Sequence, residues 1–263
     1  MIKQAMNKLG LVLVAVLAGS IPAFANEGGT LPPANTRPDN IPAVQRGARM
    51  FFNYCVGCHS LKYVRYSRIA EDLGLTEEQV MQNLNTTGGK FGEVVISSMP
   101  PADAQKWFGK APPDLSLEAR AKGPDWIYNY LKSFYVDPAR PLGWNNSVFP
   151  NVSMPNVLWE LQGTQAAAFE PKPKDAKGVD QACPHGQTEI EGKCLTGFSL
   201  VAAGSQSAQQ FDETARDITA FLQYVGEPVA LKREKLGLWV LAYLGLFTFL
   251  AYLLKREYWR DVH

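Results

Sequence analysis

The sequence predicts an all-α domain with long loops, followed by one C-terminal transmembrane helix. Apolar residues recur at helical spacing in the segments 41–54, 75–84, 125–135 and 211–225. The stretches between these segments are rich in proline, glycine and asparagine, which is typical of loops. Near the C terminus, 236–254 is an unbroken apolar run that is long enough to cross a bilayer.

The composition is that of a folded protein with an acidic central part. Of the 263 residues, 46% are hydrophobic and 19% are charged, which is enough to bury one good core and excludes a disordered chain. The formal net charge is +1, but 26–230 carries 18 Lys and Arg against 22 Asp and Glu, a net charge of −4. The sequence shows no Ser-His-Asp set, phosphate-binding loop or basic aromatic strip.

Residues 1–25 have the pattern of a secretory signal peptide. Two lysines precede the apolar run 9–18, and a small-x-small cleavage site ends at Ala25. A first transmembrane anchor is the alternative, but this run is too short to span about 30 Å of hydrocarbon. We therefore expect export, with a mature chain that begins near Asn26.

The segment 41–54 leads the chain into the central motif of the sequence. Val44, Ala48 and Phe51 lie at helical spacing, which predicts a helix with one buried face. Gly47 lies on the same face, where the missing side chain allows a second helix to approach closely.

The motif that follows, Cys55-Val-Gly-Cys58-His59, indicates covalent attachment of a c-type haem. Each thiol can add to one vinyl group of the haem, and the adjoining imidazole can reach the iron. We therefore predict that Cys55 and Cys58 are thioether anchors and that His59 is an axial ligand.

Two other functions use the same residue types. A dithiol redox pair normally begins a helix in a strand-helix-strand unit, but the flanks 45–54 and 61–69 do not alternate like strands. A structural zinc site would need two more ligands, and the ten-residue spacer between Cys183 and Cys194 is unlike the usual ligand spacing. A secretory signal upstream favours haem over both.

The next segments alternate between short helices and loops. A capping box opens the helix predicted over 75–84. The helix predicted over 125–135 carries Trp126, Tyr130 and Phe134 on one face, a core stripe in most proteins and here a candidate haem wall. We expect an extended segment or loop over 88–101, 111–116 and 137–156.

The stretch 163–209 is a mixture of polar and small residues. It contains Cys183 and Cys194. In an exported domain, two spare cysteines are expected to form a disulfide, and this prediction rests on the chemistry of the compartment alone. The helix over 211–225 follows as the last element before the apolar run.

The run 236–254 contains 19 residues without a charge and is predicted to span the inner membrane once. A buried core helix is the alternative, but the segment is hydrophobic on every face and flanked by basic residues. Because both flanks are basic, orientation follows from the signal peptide instead. It predicts 26–230 in the periplasm and 255–263 in the cytoplasm.

A second axial ligand must be sought among few candidates. The other histidines are His185, inside the expected disulfide loop, and His263, on the far side of the membrane. Methionine is therefore the favoured donor, since a thioether stabilises ferrous iron and raises the reduction potential. Met99 and Met154 are each followed by proline in a loop, and their local chemistry does not separate them.

Several features together resemble the cytochrome c1 family, the haem subunits of the quinol–cytochrome c oxidoreductase (bc1) complex. They are the run Cys58-His-Ser-Leu-Lys-Tyr63, the block Ala111-Pro-Pro-Asp-Leu-Ser116 with Arg120 behind it, Met154-Pro, and the single C-terminal anchor. The resemblance covers nearly the whole mature chain and is far more specific than the haem motif alone.

The resemblance implies a class I cytochrome c-like haem domain. In that fold the axial methionine follows the proline-containing loop and a helix, so the order of the chain favours Met154, because Met99 precedes the loop. Arg120 is implied as a partner of a haem propionate. The stretch 163–209 varies within the family, and nothing about the expected disulfide is carried over.

The resemblance also implies a function: an electron carrier that performs no bond chemistry itself. It would accept one electron from the Rieske iron–sulfur protein and pass it to a cytochrome c, in a complex with cytochrome b. Two alternatives remain at this point. One is a haem-based gas sensor with an open iron position, and the other is a stand-alone membrane-anchored cytochrome c.

Overall fold

The computed structural model describes residues 31–184 and 187–261. The predicted signal peptide, 1–25, lies outside these residues. The described helices are α1 (Ile41–Tyr54), α2 (Tyr66–Leu73), α3 (Glu77–Asn83), α4 (Pro101–Phe108), α5 (Glu118–Ala121), α6 (Pro124–Lys132), α7 (Trp159–Gln162), α8 (Ala208–Gly226) and α9 (Ala230–Tyr258). The described strands are β1 (Leu61–Arg65), β2 (Val94–Val95), β3 (Phe134–Val136), β4 (Trp144–Asn146), β5 (Gly163–Pro171), β6 (Glu189–Ile190) and β7 (Lys193–Ala203).

The core is built where α1 crosses α8. At Gly47 an added Cβ would lie 1.9 Å from the carbonyl oxygen of Asp217, so the two backbones touch there. Phe51 is fully buried on the same face of α1, and its ring centroid lies 5.4 Å from that of Phe221. The Nε of Arg46 lies 2.6 Å from a carboxylate oxygen of Asp217 at the edge of the crossing. Apolar packing and one ion pair therefore fix α1, which ends at the haem motif.

A second contact joins α6 to α8. Asp212 on α8 accepts hydrogen bonds from the hydroxyl of Tyr128 and the ammonium of Lys132, both on α6. The guanidinium of Arg216, one turn along α8, donates to the carbonyl oxygen of Ala34 at 2.9 Å. The hydrogen bonds to Asp212 hold α6, which carries Trp126 and Tyr130 of the aromatic stripe, against the core.

The prediction of an all-α fold is wrong, because the chain also forms three antiparallel sheets within the described residues. The smallest joins β1 to β2, so 61–65, directly after the haem motif, is a strand although its residues do not alternate like one. A second joins β3 to β4, where Phe134 lies opposite Asn146. The helix expected over 125–135 therefore ends at Lys132. The residues that follow it form β3, which pairs with β4 in the segment expected to be a loop.

The third sheet is a long hairpin within 163–209, the stretch of mixed polar and small residues. Strands β5 and β7 pair from Gly163 opposite Ala203 to Pro171 opposite Lys193, and β6 adds a short third strand. A disulfide between Cys183 and Cys194 closes the loop at the far end. Strand pairing depends on residues that are distant in sequence, so local spacing does not reveal it.

Among the described residues, one helix is long and apolar enough to cross a membrane. It runs over 232–258 and contains the segment 236–254. This apolar segment is part of α9, and only 227–229 separate α9 from α8. Near its start, Arg233 forms an ion pair with Glu227.

Candidate haem site

The haem motif forms a tight turn at the end of α1. The backbone N–H of Cys55 donates to the carbonyl of Phe51, and the N–H of His59 donates to the carbonyl of Cys55 at 2.8 Å. Cys55 is buried and Cys58 is partly buried, and neither forms a disulfide. Burial raises the pKa of Cys55 to about 12 and also raises that of Cys58, so both are thiols and poorly suited to act as a reactive thiolate pair.

The ring of His59 is held in one orientation by the proline-containing segment. Its Nδ1 donates to the carbonyl oxygen of Pro113 at 2.8 Å, and only 8% of the residue is exposed. A carbonyl oxygen can only accept, so Nδ1 carries the proton and Nε2 keeps its lone pair. Burial lowers the pKa of His59 and so favours the neutral ring. The hydrogen bond to Pro113 acts in the opposite direction but does not outweigh burial. The Nε2 atom is therefore a ready metal ligand.

Further hydrogen bonds join the proline-containing segment to the residues behind the motif. The N–H of Leu115 donates to the carbonyl of Ser60 at 3.0 Å. The N–H of Lys62 donates to the carboxylate of Asp114 at 2.9 Å. These contacts fix the carbonyl of Pro113 relative to His59, so the ring orientation is a property of the fold and not of one bond.

Met154 lies half-buried beside α6. The hydroxyl of Tyr130 donates to its Sδ at 3.4 Å. The Tyr130 ring stacks on that of Trp126, with centroids 4.9 Å apart and an interplanar angle of 10°. Burial raises the pKa of Tyr130, so the hydroxyl stays protonated. The thioether is therefore held on the aromatic stripe that the sequence singled out.

Met99 lies in a different environment. It lines a cavity of about 380 Å³ together with Cys58, Lys62 and Asp114. The backbone N–H of Ser97 donates to the hydroxyl of Ser60 at 2.9 Å, which holds this segment against the outside of the attachment turn. Met99 thus lies near the proline-containing segment, in which the carbonyl of Pro113 accepts the hydrogen bond from His59 Nδ1.

Arg120 lies on α5, whose backbone packs against Gly226 at the end of α8. Its side chain is exposed, and it forms no ion pair within 31–184 and 187–261. The guanidinium is therefore available to an external anion. The same described ranges contain no group of three or more His, Cys, Asp or Glu placed to hold a metal ion.

The residues at the end of α1 fit a covalently bound haem. The fit rests on their chemistry: two free thiols at the required spacing, and a buried neutral imidazole whose Nε2 has no competing hydrogen bond among the described residues. Two cysteines at this spacing with an adjoining histidine form the attachment motif of a c-type haem.

Comparison with known proteins identifies the family. The model of the "Cytochrome C1 family" matches residues 38–168 and 198–262. The chain is 46% identical to cytochrome c1 of Allochromatium vinosum, over 98% of this chain and 100% of the relative. It is also 38% identical to a protein of Nitrosomonas europaea named ammonia monooxygenase gamma subunit, over 84% of each chain. A protein of Bradyrhizobium diazoefficiens named cytochrome b/c1 is 26% identical over 99% of this chain and 41% of that relative.

The chain belongs to the cytochrome c1 family. It is thus a haem-binding electron-transfer protein. The gas-sensor and stand-alone alternatives receive no support from these relatives.

Sequence reasoning missed the hydrogen bonds that support the site. Pro113 contributes a backbone carbonyl, Tyr130 a hydroxyl to Met154, and Asn146 a buried amide in the loop before it. The aromatic spacing pointed to Tyr130 as a possible haem wall, but not to its bond with sulfur. Nothing in the local sequence distinguishes Asn146 from other loop asparagines.

Proposed function

We propose that this chain is the haem subunit of a respiratory quinol–cytochrome c oxidoreductase and carries one electron from the Rieske iron–sulfur protein to a cytochrome c. The observation that carries the proposal is the hydrogen bond from His59 Nδ1 to Pro113, next to the free thiols of Cys55 and Cys58. It leaves His59 Nε2 free beside two residues able to anchor a haem. Membership of the cytochrome c1 family supplies the role in the complex.

In this proposal the chain holds a single haem c. Cys55 and Cys58 form the thioether bonds, His59 and Met154 are the axial ligands, and Arg120 neutralises a propionate. The haem supplies an iron that changes oxidation state by one electron. The chain itself fixes the ligands, buries the ring and excludes water.

The surroundings of the two methionines support Met154 over Met99. Met99 lines a cavity with Pro112 and Asp114, which flank the residue that accepts the hydrogen bond from His59 Nδ1, whereas an iron ligand has to lie on the Nε2 side of the ring. Met154 is instead held by a hydroxyl on α6. The order of the chain in class I cytochromes c favours Met154 as well.

The proposed topology follows from the two apolar segments. Residues 1–25 would be a signal peptide, 26–230 the periplasmic haem domain, 236–254 the inner-membrane helix and 255–263 a cytoplasmic tail. Cytochrome b is the proposed partner in the membrane. A relative named cytochrome b/c1, of which this chain matches a part, supports that pairing.

The test is to purify the full chain with its membrane complex and measure three properties. We expect haem that stays with the chain on a denaturing gel, a low-spin spectrum unchanged by carbon monoxide, and cytochrome b in the same preparation. Cys55→Ala with Cys58→Ala should abolish the covalent haem, while the matched pair Cys183→Ser with Cys194→Ser should keep it. A spectrum altered by carbon monoxide would instead indicate an open iron position and a sensor.

A further inference from the structure

The segment 169–197, here called the insert, lies between the two ranges that the family model matches. Its described residues form the outer part of the β5–β7 hairpin, which the disulfide between Cys183 and Cys194 closes. The hairpin packs on β3, where the ring centroid of Tyr135 lies 6.0 Å from that of Phe169 and 6.1 Å from that of Phe198. It thus contacts the strand pair β3–β4, which leads into 147–154, here called the methionine loop.

The turn between β6 and β7 contains a residue that its backbone does not favour. Ile190 pairs with Lys193, so Glu191 and Gly192 alone connect the two strands. Both are left-handed, with φ of 51° and 74°, and such a turn strongly prefers Asn-Gly or Asp-Gly. The carboxylate of Glu191 forms an ion pair with the guanidinium of Arg140, which lies between β3 and β4. This contact outside the insert is a reason for glutamate that the turn itself does not supply.

Arg140 is held between two carboxylates. Its side chain is 24% exposed, and its Nε lies 3.5 Å from Oδ2 of Asp137. The Nε atom is buried and has no hydrogen-bond partner within the ranges that the structure describes. At the other end of the guanidinium, Nη2 pairs with Glu191. Loss of Glu191 would therefore release the guanidinium to pair more closely with Asp137 and draw that carboxylate away from its present partner.

The present partner of Asp137 belongs to the support of the methionine loop. The same oxygen, Oδ2, accepts a hydrogen bond from Asn145 Nδ2 at 2.9 Å. Asn145 is 1% exposed, and its Oδ1 accepts from the backbone N–H of Asn151 at 2.9 Å. Asn151 has a φ of 64°, a left-handed conformation that bends the chain shortly before Met154. An unbroken series of contacts therefore runs from the insert to this bend.

We propose that Glu191 and Arg140 are positioning residues for Met154, through which the insert braces the methionine loop. By holding the guanidinium of Arg140, Glu191 leaves the carboxylate of Asp137 available to the amide that fixes the bend. Without this brace the bend loosens, and the thioether is easier to displace. Weaker thioether ligation lowers the reduction potential, since this ligand stabilises ferrous iron. The inference rests on the proposed function, in which Met154 is an axial ligand.

The first experiment compares Glu191→Asn with Glu189→Gln. Glu191→Asn removes the ion pair to Arg140 but supplies a residue that this turn prefers, so the hairpin keeps its fold. Glu189→Gln also removes one carboxylate of the insert, but that carboxylate pairs with Lys172 inside the insert, at 2.9 Å. The two variants thus lose the same charge and differ in whether the contact leaves the insert.

The readouts are the reduction potential and the affinity for added imidazole, which competes with the thioether. Both are measured on the full chain purified with its membrane complex. Glu191→Asn should lower the potential and raise imidazole affinity roughly twofold to fivefold, the range of a partly exposed ion pair. Glu189→Gln should change neither. If the two variants agree in both readouts, the ion pair does not position the ligand, whatever their melting temperatures.

The second experiment asks whether the two residues act as one unit. Arg140→Gln should raise imidazole affinity more than Glu191→Asn does, because it leaves the carboxylate of Asp137 without its cation. The double variant should then match Arg140→Gln alone, since Glu191 acts only through Arg140. Effects that multiply in the double variant would show that the residues act separately, and the brace would be wrong.

A last variant separates the two levels of the proposal. If Met154→Leu keeps the sulfur-to-iron absorption band, the ligand assignment fails and the positioning role fails with it. If Met154→Leu loses the band but Glu191→Asn matches Glu189→Gln, only the positioning role fails. A lower potential and a higher imidazole affinity in Glu191→Asn alone support both.

Discussion

The crossing of α1 and α8 predicts a large effect from the smallest possible change, Gly47→Ala. The added methyl would lie 1.9 Å from the carbonyl oxygen of Asp217, 2.5 Å from its carbon and 3.0 Å from the Cβ of Phe221. Two of these three atoms are backbone, which no side-chain rotation can move away. The helices must therefore separate until the oxygen is at least 3.0 Å from the new atom.

The magnitude follows from what such a separation disturbs. Overpacking of a well-filled core costs about 1–3 kcal/mol, and a clash with helix backbone belongs at the upper end of that range. The shift also loosens the contact between the rings of Phe51 and Phe221 and the ion pair between Arg46 and Asp217. For a domain of this size, a loss of about 3 kcal/mol lowers the melting temperature by roughly 6–12 °C.

The assay is thermal unfolding of the purified full chain in detergent, followed by far-ultraviolet circular dichroism. Gly92→Ala is the matched control, because an added Cβ at Gly92 meets no atom within 4 Å. We expect the control to melt with the parent and Gly47→Ala to melt well below both. If Gly47→Ala melts within about 2 °C of the control, the helices have room to separate and the argument from close backbone contact is wrong.

Three further predictions concern ligation, acid stability and docking. Met154→Leu should abolish the sulfur-to-iron absorption band and lower the reduction potential, whereas Met99→Leu should change neither. Burial acts to raise the pKa of Asp212, but hydrogen bonds from Lys132 and Tyr128 outweigh it and lower the pKa. The carboxylate therefore stabilises the fold above its unfolded pKa and loses this effect as the pH falls, so Asp212→Asn should flatten the acid side of the stability curve, on the order of 1 kcal/mol. Reduction of a basic cytochrome c should slow as ionic strength rises, because the haem domain is acidic.

Each of these predictions has a clear contrary result. A sulfur band that survives in Met154→Leu and disappears in Met99→Leu would reverse the ligand assignment. Glu213→Gln, a neighbouring surface variant, is the control for Asp212→Asn. If stability falls equally steeply with acid in both variants, the ion pair of Asp212 does not contribute to acid stability. A cytochrome c reduction rate that is indifferent to salt would exclude electrostatic steering but leave electron transfer itself intact.

Local features of the fold could be predicted from the sequence because their causes are local. The helix Ile41–Tyr54 has the predicted bounds, with the side chain of Asn40 accepting a hydrogen bond from its first turn. The capping box at Thr76 is also present, with both of its hydrogen bonds. The haem motif is equally local, since all of its reactive groups lie within five residues.

Long-range features could not be predicted in the same way. The hairpin of β5 and β7 forms because two strands pair over about forty residues. Strand β5 contains three consecutive alanines, a residue type that is depleted in strands. Helices α2 and α4 were also missed, since neither has a side-chain cap hydrogen bond like that of the capping box that marks α3. The hydrogen bonds of His59 and Met154 depend on which segments the fold brings together.

The three residues between α8 and α9 limit how far the haem domain can travel. Even fully extended, 227–229 reach only about 10 Å, and Arg233 and Glu227 pair across this connection. A domain on so short a tether cannot swing between a donor and an acceptor. If α9 is the membrane anchor that we propose, the haem domain stays in one position above the membrane. The electron donor and the electron acceptor then have to move to reach it.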